Sequence, residues 1–114
     1  MENDLQALIR QAQTGRGAKS IDVQTLRQVI SVAGAQGLMT IRVEVFEEQG
    51  ELLAPRVDLT LYGLYSEPEI QAASPPERIR LSSQAVDEML KLTAREAATF
   101  QFELWLDEAA YDTP

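Results

Sequence analysis

The chain has 114 residues, 45% of them hydrophobic and 25% charged, with a net charge of −8 and neither cysteine nor histidine. A chain of this length buries roughly two thirds of its unfolded surface, enough for one core. Without cysteine and histidine, disulfides, the usual zinc sites and both Ser-His-Asp and Cys-His catalysis are excluded.

In MENDLQALIRQAQTG the apolar residues Leu5, Leu8, Ile9 and Ala12 recur at helical spacing. This predicts a helix from Asp4 to Gln13, with Asn3 and Gln6 as a capping box and Gly15 as the stop. The opening residues are acidic and polar, unlike a signal peptide.

The next stretch, TGRGAKS, superficially resembles a phosphate-binding loop. That loop requires G-x-x-x-x-G-K-[ST] after a strand. Here Gly15 and Gly17 are two positions apart, Ala18 separates Gly17 from Lys19, and a helix precedes them. The spacing therefore predicts a bend between helices, with glycine supplying positive φ. Arg16 and Lys19 remain candidates for a weak anion site ahead of the next helix.

SIDVQTLRQVISVAGAQG places Val23, Leu26, Val29, Ile30 and Ala33 on one stripe. Ser20 or Asp22 can cap this helix, and Gly34 and Gly37 can end it, so residues 1–36 read as a helical hairpin.

The period then changes from 3.6 to 2, and residues 38–65 read as a β-hairpin. Met39, Ile41, Val43 and Val45 oppose Thr40, Arg42, Glu44 and Phe46; later, Val57, Leu59 and Leu61 oppose Asp58, Thr60 and Tyr62. The connection EEQGELLAP predicts a long, irregular loop. Its Glu47, Glu48 and Glu51 lack the spacing of an EF-hand and read as a solvated tip.

Residues 66–78 hold three prolines and read as a surface loop. Residues 82–97 follow as a helix capped by Ser82 or Ser83, with Val86, Met89, Leu90 and Leu92 inward. Residues 98–107 form a last strand, with Phe100, Phe102, Leu104 and Leu106 opposed to Gln101, Glu103 and Trp105, before the frayed tail EAAYDTP.

These elements assemble into one α+β domain spanning residues 1–114, in two layers. The expected sheet is three-stranded and mainly antiparallel, in order 2-1-3, covered on one face by three helices in element order ααββαβ.

The charge is uneven along the chain. Residues 1–43 hold five bases and three acids, a net +2, and the other five bases and 15 acids give residues 44–114 a net −10. A field of that sign favours basic partners and disfavours direct nucleic-acid binding. The longest uncharged run, Gln28–Ile41, has only 14 residues and two glycines, which argues against a membrane span. The absence of cysteine fits a cytoplasmic protein.

The outward sheet face should carry Phe46, Tyr62 and Trp105 among Glu44, Asp58 and Glu103. Aromatics among polar groups are typical interface anchors. The three carboxylates could serve acid–base chemistry only if burial raised one pKa, and an open sheet face offers little cover. The expectation is a small, acidic, non-catalytic protein-binding accessory protein: an adaptor, a subunit or a protein inhibitor. Its partner is a basic protein or a second copy of itself, forming a homodimer, and it needs no cofactor or metal. The alternatives are a small-molecule or nucleotide-binding sensor or enzyme with a pocket between helices and sheet, and an inhibitor that mimics nucleic acid.

Overall fold

A computed structural model describes residues 4–110. The chain forms an α+β domain in which a four-stranded antiparallel sheet is packed with four helices. The expected Asn3 cap and the end of the tail, residues 111–114, lie outside the described residues.

Helix α1 (Asp4–Ala12) follows its amphipathic pattern, burying Ile9 and Ala12 and half-burying Leu5 and Leu8. The stretch after it corrects the sequence reading. Gly17 leads directly into strand β1 (Ala18–Ile21), so no plain helical hairpin forms. Helix α2 (Val23–Ala35) is capped by Asp22, whose carboxylate accepts a 2.7 Å hydrogen bond from the Thr25 N–H. Leu26, Val29, Ile30 and Ala33 face the core as the stripe requires, whereas Val23 is exposed at the first turn.

Strand β2 (Leu38–Gln49) is the long central strand. A two-residue turn, Gly50–Glu51, connects it to β3 (Leu52–Pro55), replacing the long loop expected from the sequence. Gly50 takes a φ of 64°, which a Gly-X hairpin turn demands of its first residue. Pro55, which lacks an N–H, ends β3 before most of the predicted second strand begins. Of the predicted run 56–65, residues 57–59 turn and Leu61 alone bridges back, to Val43.

A short 3₁₀ turn (Leu64–Ser66) and helix α3 (Pro68–Gln71) occupy the predicted loop. Helix α4 (Pro75–Thr93) starts seven residues earlier than expected, because Pro75 and Pro76 open its first turn, where the missing N–H groups cost nothing. Ser82, the expected cap, is fully buried within this helix, and Leu92 is exposed instead of facing inward. Strand β4 (Phe100–Glu108) completes the sheet, whose order is β1-β4-β2-β3. As predicted, β4 lies beside β2, but the other neighbour of β2 is β3, drawn from the predicted loop in place of the expected strand over 56–65, and β1 adds an unforeseen edge.

Helices α1, α2 and α4 contribute to the main core against Val43, Val45, Phe102, Leu104 and Leu106. A second cluster joins Met39, Leu64, Ile70 and Ala109. A register shift between Thr40 and Arg42 breaks the predicted alternation: Leu38 before it and Val43 after it belong to the main core, and Met39 to the second cluster. Thr40 is thereby buried, and its N–H donates to the Ser82 hydroxyl at 3.3 Å.

Candidate protein-binding face

The β2–β4 register sets Arg42 opposite Trp105, Glu44 opposite Glu103 and Phe46 opposite Gln101. Val43 and Val45, one residue out of step, point into the core. The other face of the sheet therefore carries the aromatic and acidic groups picked out in the sequence.

Arg42 organises this face. Its guanidinium stacks 4.6 Å from the Trp105 ring centroid and 4.9 Å from that of Tyr62, and it is paired with the Glu44 carboxylate. Each cation–π contact contributes about 0.5–1 kcal/mol at an exposed site, so the two together hold the guanidinium between the rings. Trp105 is half-buried, with the turn at residues 14–17 folded over it. Its indole N–H donates to the Gly15 carbonyl at 3.1 Å. A methyl group at Gly17 would lie 2.6 Å from the ring, so only glycine fits there. The look-alike phosphate loop is thus a seat for an indole.

Phe46 is half-buried beside Leu53, Pro55 and Val57, while Tyr62 is 52% exposed. Leu53 was not singled out in the sequence. Its position opposite Glu48, two residues beyond Phe46, becomes visible only once the short turn fixes the hairpin register.

Asp58 does not join Glu44 and Glu103. Both oxygens of its carboxylate engage Arg56, which also binds Glu47 and Glu96. Glu47 pairs with Phe100 on the core-facing side of the pleat, and the Arg56 guanidinium lies 5.8 Å from the Phe100 ring centroid, so this hub belongs to the opposite side of the sheet. The Arg56 guanidinium draws the Asp58 pKa below its ordinary value. That of Glu47 is lowered by hydrogen bonds from Gln49 and then Arg56.

Arg16 is exposed in the turn, Lys19 is exposed on β1, and the Asp22 carboxylate occupies the start of α2. A cavity of about 570 Å³ lies elsewhere, where the start of α2 meets the end of α4 and the start of β4. Asp22, Arg27 and Glu96 ring an apolar lining that includes Leu90, Phe100 and Phe102. Among the described residues no helix is long and apolar enough to cross a membrane.

No family model matches the chain, and no curated protein or solved structure matches it.

Proposed function

We propose that the chain is a non-catalytic, protein-binding accessory protein that engages its partner through the sheet face bearing Phe46, Tyr62 and Trp105. One observation carries this reading. Among the described residues six large hydrophobic side chains are exposed, and three of them, Leu53, Val57 and Tyr62, lie within ten residues on the Phe46 side of the sheet, whereas Leu52, opposite Gln49, projects from the other side. Apolar side chains gathered into a patch and rimmed by polar groups mark interaction sites, whereas scattered ones do not. Glu44, Glu48 and Glu103 border the patch and favour a partner with a basic rim.

Contact through the face is favoured over pairing at a sheet edge. Strand β1 has four residues, an irregular register and Ser20 at a φ of 59°. Strand β3 also has four residues and ends in proline. Short, irregular or proline-bearing edges resist strand addition.

The test places a photo-crosslinking residue at Val57 in the intact chain, with Leu92 as the control position. A discrete protein adduct from position 57, weakened by salt and lost with Tyr62→Asp, supports the reading. An adduct of twice the chain's mass identifies the partner as a second copy. Equal adducts from both positions, or none from position 57, would sink it.

The cavity near Phe100 and Phe102 supports a second reading, a small-molecule binder. A compound that raises the melting temperature without any protein partner favours that alternative.

A further inference from the structure

A trough of about 420 Å³ runs between α3 and the flank of α4. Its floor is apolar: Leu64 and Ile70 are each 5% exposed, and Leu61, Leu81 and Ala85 are half-buried around them. Among the described residues the polar side chains lining it are Gln84 and three glutamates, Glu67, Glu69 and Glu88, with no basic residue.

The charges along this rim are accessible. Among the described residues, neither Glu67 nor Glu69 is held in an ion pair within 4 Å, and the Glu88–Lys91 pair is solvent-exposed on both sides. Exposed pairs of that kind are weak and are readily exchanged for another cation. The trough is also preformed. Arg78, reaching back from α4, donates to the carbonyls of Ile70, Gln71 and Ala109, which fastens α3 to the end of β4. A wall fixed in advance lowers the entropic cost of binding.

We propose that this trough is a second docking site, which takes a basic segment of a different protein. One apolar side chain of the segment seats on Leu61, Leu64 and Ile70, and flanking lysines or arginines meet Glu67, Glu69 and Glu88. Charge selects this occupant: an acidic or neutral segment leaves the rim unmatched, and a second copy brings a net charge of −8 toward it. This proposal goes beyond the sheet-face reading and uses different residues.

The experiment titrates the isotopically labelled full chain with a synthetic peptide in which one leucine is flanked on each side by two lysines. A control peptide carries serine in place of the leucine. Amide shifts are expected within residues 61–70 and 81–88. The serine control should bind about tenfold more weakly or worse, the scale set by burying one leucine side chain. Glu67→Lys with Glu69→Lys should weaken binding by a similar factor, and Glu51→Lys, exposed at the hairpin turn, should leave it within about twofold because it lies outside the trough. Absence of binding, equal binding of the serine control, or shifts spread over the acidic surface overturns the proposal. Shifts confined to Phe46, Tyr62 and Trp105 overturn it as well, while leaving the sheet-face reading standing.

Discussion

The indole of Trp105 packs directly on the bare α-carbon of Gly17, while its N–H reaches the carbonyl of Gly15 two residues earlier. This links strand β4 to the turn that leads into strand β1. Gly17 has a φ of 71°, and a side chain there would meet the ring at 2.6 Å. Positive φ costs a non-glycine residue about 1–2 kcal/mol, and overpacking adds about 1–3 kcal/mol. Gly17→Ala should therefore lower stability by about 2–5 kcal/mol. Gly15→Ala should change it by less than about 0.5 kcal/mol, since nothing lies within 4 Å of a side chain there. Urea unfolding followed by tryptophan fluorescence compares the two, and equal losses would refute the packing account.

A pair of opposite effects is expected where β2 meets α4. The buried Ser82 hydroxyl accepts from the Thr40 N–H and donates to the Ile79 carbonyl, while the buried Thr40 hydroxyl has no partner among the described residues. Ser82→Ala strands the Thr40 N–H and should cost about 1–3 kcal/mol. Thr40→Val removes the unpaired hydroxyl at nearly constant shape and should stabilise by about 1 kcal/mol. Chemical denaturation of both variants checks the signs, and destabilisation by Thr40→Val would contradict the assignment.

Glu44 and Glu103 face each other across β2 and β4, and Arg42 offsets only one of them. Like charges at directly opposed positions destabilise a sheet. Glu103→Lys should raise stability by about 0.2–1 kcal/mol. The gain should shrink at high salt. A thermal melt at low and high ionic strength measures it, and a salt-independent loss would count against the pairing.

The Arg56 hub predicts a dependence on pH. Glu47 and Asp58 have folded pKa values below their ordinary values of 4.5 and 3.8. Such carboxylates contribute stability at pH values above their unfolded pKa, and that contribution disappears as pH falls through the folded pKa. Stability should thus be level near neutrality and decline below about pH 4.5. Arg56→Met removes the cation that helps depress both groups. It should narrow the difference between urea midpoints at pH 7 and pH 3, and an unchanged difference would show that the hub is not the source.

Much of this arrangement is legible in the residues themselves, with informative exceptions. Period-2 alternation from Val43 to Phe46 and from Phe100 to Leu106 sets Phe46 and Trp105 on the side of the sheet opposite the main core, but it does not foresee the turn at residues 14–17 that covers Trp105. Strand β1 escaped because four residues with two polar ones in the middle carry no detectable period. The run Val57, Leu59, Leu61 mimicked a strand, yet Pro55 and the hub at Arg56 turn the chain there, which removed Asp58 from the expected acidic trio. The early start of α4 was readable from Pro75 and Pro76, since a proline pair suits a first helical turn as well as a loop. The trough was invisible, because its walls come from segments that only folding brings together.

The shift between Thr40 and Arg42 lets one continuous strand do work that would otherwise need two. Ahead of it, Met39 belongs to the smaller apolar cluster that also holds Leu64 and Ile70, two residues of the trough floor; after it, Val43 supplies the larger core while Arg42 and Glu44 dress the opposite side. Both candidate docking surfaces are thus geared to a single point in the backbone. A one-residue insertion or deletion there would throw the two out of phase together, whereas point substitutions can tune either surface alone.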